Sequence, residues 1–386
     1  MKIVVAPDKF KGSLPATEVA AAIASGLRAG LPGAEVITIP VADGGEGTVD
    51  AAVAAGFERV PVTAAGPAGD LVRAGYARRG EVAVVELACV CGLARLPGGR
   101  PAPLTASSFG AGEVLRAALE ASARQIVLGV GGSASTDGGA GLLQALGARV
   151  LDTRGEPVRP GGAGLPDVAT LDLAGLHPAL HPASRSAELT LAADVDNPLT
   201  GPDGAAEVYG PQKGAGPAEV AALAAGLRRW AAVMAAAAGT DWSRAPGAGA
   251  AGGVGFAALA VLGATRRPGI ELVLDLAGFE TALDGADLVI TGEGSLDTQS
   301  LAGKTPVGVA RAAGRHGINV VAVAGRSTLT AAELAAAGIA AVYPLSALEP
   351  DLERCRAEAA SLLRRVGQMI ARDRLTEAVT KAETRA

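Results

Sequence analysis

The sequence predicts an α/β protein of two α/β domains, a discontinuous parallel-sheet domain with a second domain inserted into it. Three observations predict this class. The chain has 386 residues, more than one hydrophobic core usually organises. Strand-like and helix-like runs alternate over residues 1–60 and 275–386, as in βαβ units, whereas residues 61–274 differ. Glycine and carboxylate clusters follow several apolar runs, where open α/β sheets bind ligands.

The first elements form a βαβ unit. An apolar run predicts a strand over Lys2–Ala6, followed by a glycine-containing loop. A helix is predicted from Thr17 to Ala29, because Thr17 precedes Glu18 and an Ala-rich run, and Gly30 ends it. A strand over 35–39 then leads to Asp43.

The middle of the chain is less regular. Short alternating runs over 59–87 predict antiparallel or mixed strands, and residues 153–186 are rich in Pro, Gly and His and predict mostly loop. The other predicted elements are a helix over 109–122, strands over 125–130 and 188–193, and helices over 217–238 and 251–263.

From Asp287 the βαβ pattern returns. The predicted elements are a strand over Leu288–Ile290, a helix over 306–316, a strand over 319–324, a helix over 330–337, a strand over 340–343 and an amphipathic helix over 350–371. We expect residues 372–386 to fray.

Composition excludes several classes of protein. The net charge is −5 without a long run of one sign, which argues against a nucleic-acid partner. No run of about 18 apolar residues lacks charges or glycines, so no membrane span is predicted. The chain enters a strand directly, which argues against a signal peptide. Cys89, Cys91 and Cys355 have no zinc or disulfide spacing. We expect a cytoplasmic protein with a small-molecule substrate, and a homo-oligomer is left open.

A glycine-rich loop follows the strand predicted over 125–130. Its residues predicted to bind phosphate or nucleotide are Gly131, Gly132, Ser133, Ser135 and Asp137. The same loop, read from Gly129, fits the loose dinucleotide pattern G-x-G-x-x-A, with Asp152 at roughly the distance of a ribose contact. A nicotinamide-dependent dehydrogenase is therefore the alternative, and a glycine turn needed only for packing is a third interpretation.

Lysines mark two further candidate anion sites. Gly303-Lys304-Thr305 resembles the end of a P-loop, but Thr298 stands where that motif requires glycine. We reject the P-loop mechanism and keep Lys304 as a point charge for phosphate. Lys9 and Lys11 follow the first strand, and two lysines there favour an anionic ligand.

Carboxylates recur after predicted strands. Asp194 and Asp196 would point to one side of an extended chain, which suits a general base or a Mg²⁺ ligand, although a simple turn is the other interpretation. Asp43 and Glu46 are candidate substrate-binding residues. Glu293 and Asp297 are, with Asp194, candidate metal ligands.

Together these motifs resemble the bacterial type I glycerate kinase family. The matching runs are Ala6 to Leu14, Asp43 to Thr48, Gly131 to Gly141, Asp194 to Ala215, Gly247 to Phe256, and Thr291 to Lys304. The resemblance implies phosphorylation of D-glycerate by ATP with Mg²⁺, with 2-phosphoglycerate favoured over 3-phosphoglycerate as the product. It also implies a flavodoxin-like domain joined discontinuously to one similar to the restriction-endonuclease core.

The resemblance also suggests individual roles. Lys11 is assigned to a phosphate or to the glycerate carboxylate, and Lys213, within Gly210-Pro211-Gln212-Lys213-Gly214, to the nucleotide. Departures from the family pattern are Lys9 for a common serine, Ser135-Thr136 for Thr-Asn, and Ser295 for a frequent arginine. A regulator that binds a nucleotide or metabolite without turnover is the remaining alternative, and the carboxylates after several strands count against it.

Overall fold

The computed structural model describes residues 1–385, without the side chains of residue 302 and of residues 374–385. The predicted fraying of residues 372–386 lies almost wholly outside the part described in full. The chain divides into two compact units. Unit 1 comprises Met1–Asp43, Asp50–Ala55 and the chain from Ile270 onward, and unit 2 comprises Gly44–Val49 and Gly56–Gly269. The domain boundaries at residues 60 and 275 stay a prediction.

The strands alternate with helices at both ends of the chain. They are β1 (Lys2–Pro7), β2 (Glu35–Thr38), β3 (Glu58–Ala65), β4 (Leu71–Arg79), β5 (Val82–Glu86), β6 (Gln125–Gly129), β7 (Arg149–Leu151), β8 (Thr170–Asp172), β9 (Glu188–Ala192), β10 (Thr265–Arg267), β11 (Leu288–Leu296), β12 (Val320–Ser327) and β13 (Ala341–Pro344).

The α-helices range from single turns to long rods. They are α1 (Ala16–Gly30), α2 (Thr48–Ala54), α3 (Ala88–Cys91), α4 (Phe109–Glu120), α5 (Ala140–Ala145), α6 (Ala205–Tyr209), α7 (Pro217–Ala238), α8 (Val254–Ala260), α9 (Gly269–Leu276), α10 (Phe279–Leu283), α11 (Thr305–Arg315), α12 (Ala331–Ala336), α13 (Leu352–Ala357) and α14 (Ala359–Arg385).

Unit 1 is built on a five-stranded parallel sheet in the order β13-β12-β11-β1-β2. Both faces of this sheet are buried, as parallel sheets require. Ile3 and Val5 belong to a core that includes side chains of α1 and α14. Val4 and Ala6 point to the other face, where the core includes side chains of α9 and α11. The alternation follows the period of two along a strand.

Unit 2 contains a six-stranded mixed sheet in the order β10-β9-β6-β5-β4-β3. β3, β4 and β5 pair antiparallel, which confirms the antiparallel or mixed strands predicted over 59–87, and β5, β6, β9 and β10 pair parallel. By length and composition alone, α7 could cross a membrane. In unit 2, however, α7 places Trp230 fully inside the core, which is how a core helix is built. The predicted α/β class is confirmed.

Two predicted bounds differ in detail from the structure. The helix predicted from about Thr17 begins at Ala16, since Pro15 takes an extended conformation at the N-cap without a side-chain cap. The strand predicted over Leu288–Ile290 continues to Leu296. Gly292 lies inside the longer strand, where it allows close packing: a Cβ there would lie 2.3 Å from the carbonyl oxygen of Val323.

Candidate active site

The carboxyl ends of β1 and β11 lie at the switch point of the unit 1 sheet. The chain runs outward from β1 to β2 on one side and from β11 to β13 on the other. Open α/β sheets bind ligands where the strand order reverses in this way. Asp8 directly follows β1, Glu293 lies in the last part of β11, and Asp43 follows the chain beyond β2. Carboxylates from three neighbouring strands thus reach one edge of the sheet.

Asp8 is held firmly at this edge. It is only 6% exposed. Its Oδ2 accepts a 2.9 Å hydrogen bond from the Thr305 hydroxyl, and its Oδ1 accepts one of 2.6 Å from the Lys9 N–H. Burial raises the pKa of Asp8 to about 6; the Asp43 charge adds to the rise, while Lys9 and the hydrogen bonds oppose it.

Glu293 has a comparable environment. Its Oε1 accepts a short hydrogen bond from the Ser300 hydroxyl. Burial raises the pKa of Glu293 to about 7, against the lowering effects of Ser300 and Lys304. The negative charges of Asp8 and Asp43 raise the pKa of Glu293 further, so the three carboxylates interact electrostatically. Both Asp8 and Glu293 therefore titrate near neutral pH, as groups that exchange protons in catalysis do.

The lysines predicted in unit 1 have different surroundings. Lys9 lies beside Asp8, with Nζ 3.5 Å from Oδ1. Lys304 is the N-cap of α11; its Nζ donates to Gln299 Oε1 at 3.4 Å and its charge acts on Glu293. Lys11 is exposed, and its backbone passes close to Gly294.

Asp297, a predicted metal ligand, organises the turn that carries Ser300. Its Oδ1 accepts the N–H of Gln299 at 2.9 Å, and its own N–H donates to Ser300 Oγ at 3.2 Å. The contacts of Asp297 thus help to place the hydroxyl that binds Glu293.

The donor set at this edge suits a hard cation. Oxygen ligands from carboxylates are those that Mg²⁺ prefers, and Mg²⁺ is usually held by one or two carboxylates together with phosphate oxygens. In the described part of the chain, no three His, Cys, Asp or Glu residues lie close enough to hold a metal ion by themselves. Asp8, Asp43 and Glu293 therefore fit Mg²⁺ that arrives with a phosphorylated ligand, and do not form a preformed metal cage.

In unit 2 the glycine-rich loop after β6 is anchored by Asp137, which is 1% exposed. Its Oδ2 accepts hydrogen bonds of 2.8 Å from both the N–H and the hydroxyl of Ser108, and its Oδ1 accepts one of 3.1 Å from the Gly139 N–H. Trp230 adds a second anchor by donating to the Gly138 carbonyl at 2.9 Å. Both carboxylate oxygens of Asp137 thus accept hydrogen bonds that hold the loop in place.

Lys213 lies beneath the same loop and is 3% exposed. Its Nζ donates to Ser133 Oγ at 2.9 Å and to the Ser135 carbonyl oxygen at 2.5 Å. Burial lowers the pKa of Lys213 to about 7, while the charge of Asp137 works in the opposite direction. The ammonium group predicted to meet phosphate therefore contacts the loop itself.

The outward part of the loop is backbone. Gly131 is half-buried, Gly132 is exposed, and Gly132 has a φ of +76° that favours glycine. The hydroxyls of Ser135 and Thr136 are buried, and among the described residues they have no hydrogen-bond partner. Such groups are costly unless something else binds them.

A second glycine loop of unit 2, Gly44 to Thr48, lies against this one. The Gly131 N–H donates to the Gly44 carbonyl at 3.2 Å, and a Cβ on Gly131 would lie 2.6 Å from the Cα of Gly45. Glu86 holds this loop, because its Oε2 accepts the N–H groups of Gly47 and Val49 at 3.1 and 3.0 Å. Glu46 lies exposed on the loop.

Asp194 and Asp196 have separate partners. β9 ends at Ala192, so both residues lie in the loop beyond it. Asp194 Oδ1 accepts the Gly269 N–H at 2.8 Å, whereas the exposed Asp196 pairs with Arg266 at 2.6 Å. These contacts do not direct both carboxylates at one ligand.

The dinucleotide-binding interpretation lacks its second contact. Asp152 follows β7, which pairs antiparallel with β8 in a separate two-stranded sheet and is not the next parallel strand beside β6. Asp152 instead accepts the N–H groups of Arg154 and Glu156. A ribose contact from Asp152 of the predicted kind is therefore wrong.

Sequence reasoning omitted Asp8, Ser300, Thr305 and Glu86 from the site residues. Of these, Asp8 had a usable signal, because it directly follows an apolar strand.

Comparison with known proteins agrees with this geometry. A family model described as the glycerate kinase family matches residues 3–375. The chain belongs to the glycerate kinase family. The predicted glycerate kinase, and with it a phosphotransferase, is confirmed at that level.

Relatives are similar over nearly their whole length. A glycerate kinase of Bacillus subtilis (strain 168) is 42% identical over 374 residues, covering 96% of this chain and 97% of that protein. A glycerate 2-kinase of Escherichia coli (strain K12) is 44% identical over 347 residues, covering 89% and 90%. A crystal structure from Salmonella typhimurium LT2, whose protein carries the provisional name glycerate kinase 2, has a TM-score of 0.83 at 41% identity and covers 100% of both chains.

Proposed function

We propose that the chain phosphorylates D-glycerate with ATP, and that 2-phosphoglycerate is favoured over 3-phosphoglycerate as the product. The observation that carries this proposal is the pair of carboxylates, Asp8 and Glu293, at the switch point of a parallel sheet. The name of the Escherichia coli relative, a glycerate 2-kinase, supports the choice of hydroxyl. We also assign the chain to the type I branch of the family and to the cytoplasm.

The pair supplies the proton acceptor. A substrate hydroxyl loses its proton as it attacks the terminal phosphorus, and a base is most effective when its pKa lies near the working pH. Asp8, with a pKa of about 6, is mostly ionised at neutral pH and is held in place by Thr305 and Lys9. We assign the base role to Asp8 and a shared role in holding the proton to Glu293.

Glu293 and Asp43 are the residues that would hold Mg²⁺. When bound, Mg²⁺ neutralises charge on the transferred phosphoryl group. Burial is the main cause of the raised pKa values of Asp8 and Glu293, and repulsion by neighbouring carboxylates adds to it, so a cation would offset that repulsion. Asp297 contributes by holding Ser300, which donates to Glu293.

The glycine loop of unit 2 supplies groups for the nucleotide. Gly132 offers backbone at the surface, where a phosphate can approach without meeting a side chain, and Gly131 lets the Gly44 loop pack beside it. Lys213 and Asp137 keep the loop in this form from below. Ser135 adds a buried hydroxyl that has no partner among the described residues. In unit 1, Lys304 at the start of α11 adds a cation for a phosphoryl group.

The decisive experiment is a coupled assay of ADP formation with ATP, Mg²⁺ and D-glycerate, with L-glycerate and glycerol as comparison acceptors. We expect turnover with D-glycerate, and phosphorus NMR of the product should show a phosphate ester at carbon 2. Absence of ADP formation above the background of ATP hydrolysis would overturn the proposal. Tight ATP binding without turnover would favour the regulator.

A further inference from the structure

Arg326 lies on the same edge of the unit 1 sheet as the carboxylate pair. Residues of β11 and β12 pair in parallel register, with Ser295 opposite Arg326. Arg326 Nε donates to Ser295 Oγ at 3.2 Å. Because side chains alternate along a strand, Ser295 shares its face with Glu293. Glu293, Ser295 and Arg326 thus lie on one face at the carboxyl ends of neighbouring strands.

Arg326 differs from two lysines at this edge in what surrounds its charge. Lys9 lies beside Asp8, and the charge of Lys304 acts on Glu293. Arg326 is exposed, and among the described residues its polar contact is with the neutral hydroxyl of Ser295. With Nε engaged by Ser295, the two terminal nitrogens of the guanidinium have no hydrogen-bond partner among the described residues. A planar pair of N–H donors is the group that binds a carboxylate by two parallel hydrogen bonds.

The spacing suits a small hydroxy acid. Residues two apart on a strand lie roughly 7 Å from each other, and neighbouring strands lie about 4.8 Å apart. The long side chains of Arg326 and Glu293 can therefore reach two neighbouring groups of a three-carbon hydroxy acid, its carboxylate and the hydroxyl on carbon 2. Its carboxylate would meet the guanidinium, and its hydroxyl would meet the carboxylate pair.

We propose that Arg326 is the specificity-determining residue that binds the carboxylate of the substrate, with Ser295 as the residue that positions its guanidinium. This inference rests on the proposed function, since it assumes a hydroxy acid as phosphoryl acceptor. It assigns the substrate carboxylate, which is next to the reacting hydroxyl on carbon 2, and it gives Lys11 a different partner from that carboxylate.

The test compares steady-state constants of Arg326→Gln, Arg326→Lys and Lys11→Gln with those of the intact chain, for D-glycerate and its uncharged amide. Losing hydrogen bonds to a charged group should raise the KM for D-glycerate about 10- to 100-fold in Arg326→Gln. We expect the KM for ATP to stay within about twofold and Arg326→Lys to recover part of the loss. Arg315→Gln is the matched control, because Arg315 is an exposed arginine of unit 1 that pairs with Glu280.

The measurements distinguish a wrong assignment of Arg326 from a wrong proposed function. If the intact chain does not phosphorylate D-glycerate, the proposed function falls. If it does, and Arg326→Gln keeps the KM for D-glycerate, or the increase appears in Lys11→Gln instead, the assignment of Arg326 is wrong. Equal weakening of D-glycerate and its amide in Arg326→Gln would also overturn it, because the guanidinium would then not be reading the negative charge.

Discussion

The hydroxyl of Thr305 donates a 2.9 Å hydrogen bond to Oδ2 of Asp8, across 297 positions of the sequence. This bond joins the first residue of α11 to the end of β1 within unit 1. Because the Lys9 N–H binds the other oxygen, the carboxylate is fixed in orientation as well as in position. A base held in this way loses little entropy when a hydroxyl approaches it.

Replacing Asp8 should separate activity from stability. Asp8→Asn keeps the shape but cannot accept a proton, so kcat should fall about 10²- to 10⁴-fold. The folded pKa of Asp8 is raised from 3.8 to about 6, so its contribution to stability is fully present below pH 3.8 and lost as the pH rises through 6. At pH 7 the variant should therefore unfold at an equal or higher urea concentration than the intact chain.

Asp284→Asn is the control for this variant, since Asp284 is an exposed aspartate of unit 1. Wild-type kcat in Asp8→Asn, measured with saturating ATP and D-glycerate, would remove Asp8 from proton transfer.

The pH profile of kcat/KM should report the carboxylate pair. Activity should rise with pH through the region of the pKa values of about 6 and about 7, because protonated Asp8 and Glu293 cannot accept the hydroxyl proton. The two apparent values belong to the pair, since the charge of each group acts on the other. Glu293→Gln removes one negative charge, so the remaining rise of kcat/KM with pH, which reports Asp8, should occur at lower pH. If the rise of kcat/KM with pH occurs at the same pH in Glu293→Gln as in the intact chain, Asp8 and Glu293 do not interact as proposed.

The buried ammonium of Lys213 should make stability depend on pH with the opposite sign. Its folded pKa is lowered from 10.5 to about 7, so its contribution is present above pH 10.5 and is lost as the pH falls through 7. Between pH 7 and 9 the unfolding free energy of Lys213→Met should be flatter than that of the intact chain. The KM for ATP should rise as well, because Ser133 and the Ser135 carbonyl lose their donor. Urea titrations at several pH values measure the first effect, and identical slopes would exclude it.

Asp194 and Asp196 can be assigned by paired substitutions. Since Asp194 accepts the Gly269 N–H and Asp196 pairs with Arg266, we expect Asp194→Asn and Asp196→Asn to keep kcat within a few-fold. Asp196 is a surface partner, and such ion pairs contribute about 0 to 1 kcal/mol. A loss of about 10²-fold or more with a raised Mg²⁺ requirement would restore both residues to the catalytic role predicted from sequence.

The contact between α1 and α14 is close because Gly26 of α1 has no side chain. A Cβ on Gly26 would lie 2.0 Å from the carbonyl oxygen of Arg364, and backbone cannot move aside cheaply. Gly26→Ala should therefore destabilise the chain by about 1 to 3 kcal/mol, in spite of the better helix propensity of alanine. Gly33→Ala is the matched control, because nothing lies within 4 Å of its added Cβ. Equal midpoints in thermal unfolding would contradict the close packing.

Sequence patterns predicted the elements well where the period was clear. The helix over 217–238 has the predicted bounds, because its apolar run lies between a proline and a glycine C-cap. The predicted strand ends at Ile290, before the end of β11, because a glycine in a strand and a glycine in a turn look alike in a sequence. Which one applies depends on the distance to Val323 on the neighbouring strand.

The candidate site was harder to predict from sequence. Glu293 stood out through its flanking glycines, but the role of Asp8 depends on Thr305, whose approach follows from sheet topology and not from local sequence. Lys213 was assigned to the nucleotide through the resemblance of its Gly210–Gly214 motif to the glycerate kinase family. Its burial under Ser133 is a property of packing.

The position of β1 between β2 and β11 has a consequence for synthesis of the chain on the ribosome. Every residue of unit 2 has been translated once Gly269 has been added, whereas β1 must wait for β11, which begins at Leu288, and α1 must wait for α14. A nascent chain of intermediate length therefore carries β1 with one unpaired edge, the kind of edge that invites wrong pairing. Unit 2 can complete its fold first. Unit 1 can complete its fold only after α14 has left the ribosome and can pack against α1.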